Sequence, residues 1–205
     1  MNWEIPRIWE DETVYLFGGG PSLLSSIAEY DFSDHYVIGA NNSFLLRDVD
    51  ILYFGDAKFY WWNEKEIQTF KGLKITSDQG IQHGNKSVNG QHKIKVVKIG
   101  KYKGLESRSN RIGWNRSSGA AAINVAIHLG AKKIVLLGYD MRVINGHKNW
   151  MVHEKEQTNQ NPYDYMLVGF TQVARQLGRF NCSVVNATPK SKIEVFPMVE
   201  LKELF

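Results

Sequence analysis

The sequence predicts an α/β fold, a mostly parallel sheet with helices on both faces. Two observations carry that expectation. Short apolar runs recur at 13–17, 36–39, 51–54, 73–76, 94–99, 134–137 and 183–185, and several stop at a small or polar residue. Between some of them lie stretches of helical length and spacing, at 23–30, 59–70, 118–129 and 163–177. With 205 residues, 43% of them hydrophobic, the chain can build one well-packed domain spanning 1–205, and two full domains would be cramped.

The first strand ends at Gly18-Gly19-Gly20-Pro21-Ser22. Consecutive glycines let an anion approach main-chain N–H groups without a Cβ in the way, and they permit positive φ. Pro21 suits the first turn of a helix starting near Ser22. The positive end of that helix would face a phosphate held over the glycines. The equal alternative is a tight strand-to-helix turn with no ligand. No Lys-Ser or Lys-Thr follows, so the loop is not the triphosphate-and-magnesium kind. Leu23 stands where a dinucleotide fingerprint has its third glycine, and Asn41-Asn42 where it has an acid.

The later strand ends are also polar. The run at 36–39 is followed by Ala40-Asn41-Asn42-Ser43-Phe44, that at 51–54 by Gly55-Asp56, and that at 134–137 by Gly138-Tyr139-Asp140. In open parallel sheets, ligands bind beyond the carboxyl ends of the strands, which makes these residues site candidates. Taken singly, Asp56 and Asp140 are equally read as helix caps or turn formers, and the asparagines as turn residues. Arg116-Ser117-Ser118-Gly119 opens the helix at 118–129 with an N-cap, small residues and a cation, a second candidate anion site, although the glycine and alanines there are equally read as a helix–sheet packing device. Residues 141–162 lack clear periodicity and exceed the usual loop length, so a lid over the strand ends is expected there. It carries His147 and His153, either able to act as general acid or base near neutral pH.

Charge is uneven. From Lys93 to Arg116, eight basic residues face Glu106 alone, a local charge of +7; with +4 for the whole chain, the remainder carries −3. Such a cluster is either a solvated face or a wall for a phosphorylated ligand or a nucleic-acid backbone. Cys182 is the only cysteine, which excludes an internal disulfide and a cysteine-rich zinc site. No apolar run approaches the roughly 18 residues of a membrane span, and the opening Met-Asn-Trp-Glu-Ile-Pro is not a secretory signal. A soluble, cytoplasmic protein is expected.

Gly18-Gly19-Gly20-Pro21-Ser22-Leu23, then Asn41-Asn42-Ser43-Phe44, then Ser117-Ser118-Gly119 and the segment from Ala126 to Asp140 together resemble the small bacterial sialyltransferases and the related hydroxymethylpterin pyrophosphokinase-like family. The short versions found in tailed-phage genomes look closest, which would place the protein in a host cell's cytoplasm. The resemblance implies a Rossmann-like sheet that binds a cytidine nucleotide-sugar and inverts at the anomeric carbon without an essential metal. Gly18, Gly19, Gly20, Pro21, Ser22, Asn41 and Asn42 would hold the donor, with Ser117, Ser118 and Gly119 nearby. The pyrophosphokinase-like side implies ATP and magnesium instead, with Asp56 and Asp140 on the metal or phosphate. The chain departs from the sialyltransferases at Asn161-Pro162, where a histidine shortly before their last long helix looks like the general base, and at Gly19, where they often carry asparagine. His147 and His153 are the nearby replacements for that base.

The sequence therefore leads to a nucleotide-sugar-dependent, glycosyltransferase-like enzyme acting on a glycan or modified nucleic acid. His153 or His147 would take the acceptor proton, Asp140 would stand at the reacting centre, and Arg116 would offset the leaving phosphate. The alternatives are a magnesium- and ATP-dependent phosphotransferase and a non-catalytic nucleotide- or DNA-binding phage protein that uses the basic segment.

Overall fold

The computed structural model describes residues 3–77, 81–83, 86–88, 90–151 and 162–205. Ten strands and five α-helices are defined among them. Eight strands form one open parallel sheet, in the order β10-β9-β1-β2-β3-β4-β7-β8. They are β1 (Thr13–Phe17), β2 (Tyr36–Ala40), β3 (Ile51–Phe54), β4 (Leu73–Ser77), β7 (Lys95–Lys101), β8 (Arg111–Gly113), β9 (Lys133–Leu137) and β10 (Ser183–Asn186). The remaining two, β5 (Gln82–His83) and β6 (Lys86–Ser87), pair as a small antiparallel hairpin.

The central strands read as unbroken apolar runs because both of their faces are covered. Val14 and Leu16 of β1, Ile51 and Tyr53 of β3, and Ile134 and Leu136 of β9 enter one core. Their alternates Tyr15, Phe17, Val135 and Leu137 enter a second, and Leu52 and Phe54 a third. The first core is roofed by α4 (Ser118–Leu129), whose residues from Ala120 to Leu129 are all buried. A helix apolar nearly all round belongs inside the protein. Above it lies α5 (Tyr163–Gln176), contributing Phe170 and Val173. The opposite face is covered by α1 (Leu23–Glu29), α2 (Ala57–Trp62) and α3 (Glu64–Thr69).

Two local expectations change. The helix expected at 59–70 is two helices, because the Asn63 side chain donates back to Phe59 O (2.9 Å) and its backbone leaves the helical region. The last strand before α4, β8, has three residues, too few for any periodicity to mark it.

Its place in the sheet is fixed by polar groups inside the core. Asn124 of α4 accepts from Glu106 N (2.8 Å) and Gly113 N (3.0 Å) and donates to Glu106 O (3.1 Å). One turn on, His128 Nε2 donates to Arg111 O (2.8 Å). Burial lowers the His128 pKa, the effect outweighing the hydrogen bond to Arg111 and the nearby Glu106 charge.

The chain runs outward from β1 through β8, returns through α4, and resumes at β9 on the other side of β1. The strand order reverses between β1 and β9. Beyond the carboxyl ends of those two strands lies the crevice where sheets of this kind hold ligands.

Candidate functional site at the β1 and β9 strand ends

The glycine turn is built for close approach to β9. Gly18 N donates to Leu137 O (2.8 Å) and Gly20 N to Gly138 O (2.7 Å), extending the ladder past the strands. A Cβ on Gly18 would lie 2.6 Å from Gly138 O and 2.8 Å from the Tyr139 ring, and one on Gly20 would lie 2.0 Å from Asp140 Oδ2. Two of the three N–H groups expected to cradle an anion are thus spent on β9, and none of the three glycines has positive φ. Pro21 precedes the helix, which begins at Leu23 with Ser22 as its N-cap.

Ser22 does not cap α1 with its side chain. Its N–H and Oγ both donate to Asp140 Oδ2, at 3.2 and 2.9 Å. Asp140 is 1% exposed, and its Oδ1 has no hydrogen-bond partner among the described residues. Burial raises the Asp140 pKa, against the opposing pull of Ser22 and of the Arg142 charge. The backbone around it is held by the C-terminal segment: Thr188 Oγ1 accepts from Tyr139 N (3.0 Å), Ser191 Oγ donates to Tyr139 O (2.6 Å), and Lys192 N donates to Asp140 O (3.0 Å).

On the β2 side, Asn41 takes a left-handed conformation (φ 55°). The side-chain oxygens of Asn41 and Asn42, like Asp140 Oδ1, are shielded from solvent and unpartnered among the described residues, as is Arg142 Nε. Buried polar groups are nearly always hydrogen-bonded, so several open ones gathered at the carboxyl end of the sheet mark it as the candidate site. Ser43, fully buried, donates to Gly18 O (2.5 Å) and ties β2 to the glycine turn.

Residues 141–151 lie down on this turn. Trp150 N donates to Gly19 O (2.9 Å) and Trp150 Nε1 to Ser43 Oγ (3.3 Å), while Asn149 sits over Gly19. Ahead of them Ile144 and His147 bond each other across Asn145 (φ 49°) and Gly146 (φ 81°). Asn-Gly is a strong hairpin signal, visible in the sequence but missed there. His147 is exposed at this turn. His153 and Asn161 lie outside the described residues.

The start of α4 adjoins the crevice through Tyr139. The Tyr139 ring lies close to both Gly18 and Gly119, and its hydroxyl donates to Gly119 O (3.2 Å). Both serines there have structural tasks: Ser117 Oγ caps α4 at Ala120 N (3.4 Å), and Ser118 Oγ accepts from Gly55 N (3.2 Å). Arg116 is exposed with positive φ (53°).

Other expected residues stand apart. Asp56 caps α2, accepting from Lys58 N (2.8 Å), and is exposed. Its strand, β3, lies three strand spacings from β9, about 14 Å. Magnesium ligands sit at about 2 Å from the ion, so Asp56 and Asp140 do not fit direct coordination of one magnesium. Among the described residues, no group of three or more His, Cys, Asp or Glu could hold a metal. The basic segment does not wall the crevice: β7 is four spacings from β1, about 19 Å, and it carries Lys95 and Lys101 at opposite ends. Lys101 and Lys103, at and just beyond the carboxyl end of β7, share the ligand-facing end with Arg116, but of the three only Arg116 leads directly into α4, whose start meets Tyr139.

No family model matches the sequence, and no curated protein is detectably similar to it. The fold does have a solved counterpart. It is similar to the sialyltransferase CstII from Campylobacter jejuni, solved in complex with a substrate analogue, cytidine-5'-monophosphate. The TM-score is 0.54 at 15% identity, over 93% of this chain and 85% of that one. The chain therefore has a sialyltransferase-like fold. The likeness bears out the fold that the sialyltransferase resemblance implies and supports neither a pyrophosphokinase nor a phage origin. No helix among the described residues is long and apolar enough to cross a membrane.

Proposed function

We propose that this chain binds a nucleotide sugar at the β1/β9 crevice and transfers the sugar, as a glycosyltransferase-like enzyme. The observation that carries the reading is Asp140 Oδ1, a carboxylate oxygen buried at the point where the strand order reverses and unpartnered among the described residues. A carboxylate is an acceptor only, so it suits the hydroxyls of a ribose or sugar better than a phosphate. Asn41 and Asn42 add two further open acceptors for hydroxyl or amino donors. The likeness to a sialyltransferase solved with a cytidine nucleotide supports the same choice of ligand.

In this reading an acceptor hydroxyl attacks the anomeric carbon, the bond to the donor phosphate breaks, and the nucleotide leaves with the electron pair. The acceptor proton passes to His153 or His147, and Arg116 offsets charge on the leaving phosphate. Trp150 and Asn149, lying over Gly19, would keep water from competing with the acceptor. The acceptor is a glycan or modified nucleic acid.

Thermal-shift titration with cytidine, uridine, adenosine and guanosine nucleotides tests the donor site. Ligand at 100 times its Kd adds about 2.7 kcal/mol, and a chain of this size gains roughly 2 to 4 °C in Tm per kcal/mol. One nucleotide should therefore raise Tm by several degrees. No shift with any of the four would overturn the reading.

A further inference from the structure

The opposite end of the sheet holds a second concentration of charge. At the amino ends of β4 and β7, a cleft of about 430 Å³ is lined by Lys71, Lys74, Lys93 and Lys95, with Leu73 and Ile94 as apolar lining. Lys71, Lys93 and Lys95 are exposed, whereas Lys74 is 9% exposed and lies 5.9 Å from the centre of the Phe70 ring. Among the described residues, no carboxylate lines the cleft. The acids of the loop before β3 are engaged elsewhere: Asp48 faces Arg47 Nε (3.4 Å), and Asp50 Oδ2 accepts from Val37 N (2.9 Å). Burial, together with repulsion from Lys71 and Lys93, lowers the Lys74 pKa.

Drawing an ammonium group out of water costs free energy unless opposite charge arrives with it, and like charges beside it add to that cost. Four lysines around one cleft without a carboxylate recover the cost when a multiply charged anion enters. Lysine ammoniums act as point charges for phosphate, and a cleft of this volume admits a small molecule. The groups converge on a concavity and do not form an extended track; farther along β7, Lys101 donates to Leu105 O (3.3 Å). That geometry favours a compact anion over a duplex.

We infer that the Lys71–Lys74–Lys93–Lys95 cleft binds a chain of two or three phosphates, carried by a free polyphosphate or a nucleoside triphosphate. The site is remote from the β1/β9 crevice and does not depend on the reaction proposed there.

Calorimetric titration of the full chain at low salt tests this, with inorganic tripolyphosphate in one arm and ATP in the other. Saturable binding of tripolyphosphate is expected, weakening as salt rises. The exposed pair Lys71→Gln/Lys93→Gln should weaken it at least tenfold, and Lys202→Gln, an exposed lysine of the C-terminal segment, should leave it within twofold. ATP binding with the same lysine dependence would assign the site to triphosphates generally; binding of tripolyphosphate alone would assign it to the free anion. The inference is overturned by no saturable binding at millimolar tripolyphosphate, or by affinity unchanged in the lysine pair variant. It is likewise overturned if short duplex DNA binds more tightly than tripolyphosphate and is lost in the same variant, which would make the surface a nucleic-acid contact.

Discussion

Asn124 and Asp140 are both buried polar residues tied to the sheet, and they differ in what remains open. Asn124, inside α4, makes three hydrogen bonds to the backbone of Glu106 and Gly113. Asp140, beyond β9, spends Oδ2 on Ser22 and leaves Oδ1 without a partner among the described residues. A closed network holds one arrangement of the chain, whereas an open buried acceptor is a cost that a ligand can offset. The difference separates residues that build this fold from residues that wait for something.

Breaking the closed network should have the largest effect on stability. Asn124→Ala strands two buried N–H groups and a carbonyl, each costing about 1 to 3 kcal/mol. Chemical denaturation should show a loss above about 3 kcal/mol. Gly20→Ala comes next: a Cβ 2.0 Å from Asp140 Oδ2 and 2.6 Å from Gly138 O forces the strand ends apart, at about 1 to 3 kcal/mol. This variant should also lose nucleotide stabilisation, because it displaces Asp140.

Asp140→Asn should cost little or nothing in stability at neutral pH. The amide oxygen still accepts from Ser22, and a desolvated charge is removed; since burial raises this carboxyl's pKa, its ionised form opposes folding. A further small effect is the pH dependence from His128. Its lowered pKa means that the folded state favours neutral imidazole, so this contribution is fully present above the unfolded pKa of about 6.5. It fades as pH falls through that value toward the lowered folded one. Urea midpoints at pH 7.5 and 5.5 should show a drop that is smaller in His128→Gln.

Much of the sheet was legible in the sequence because strands covered on both faces must be apolar throughout, and β1, β3 and β9 advertise that directly. The strand β8 was not legible: three residues carry no period, and its position depends on Asn124 and His128 from a later helix. The glycine turn was legible as a turn, but not what it packs against. Gly18 and Gly20 serve the approach of β9, a contact with residues more than a hundred positions away. The same separation hides the bond between Ser22 and Asp140, which no local pattern announces. Asp140 was marked by its position after a strand, whereas Ser43 and Trp150 acquire their importance only once β2 and the 141–151 segment meet over Gly19.

Calorimetric titration of Asp140→Asn beside the unaltered protein, with the nucleotide that stabilises it, tests the central claim most directly. The substitution replaces the open acceptor Oδ1 by an amide donor while keeping volume and the Ser22 bonds, so affinity should fall at least tenfold with stability preserved. Equal affinity in both proteins would place the ligand away from this crevice, and tighter binding in the variant would mean that the ligand presents a phosphate, not a sugar hydroxyl, to residue 140.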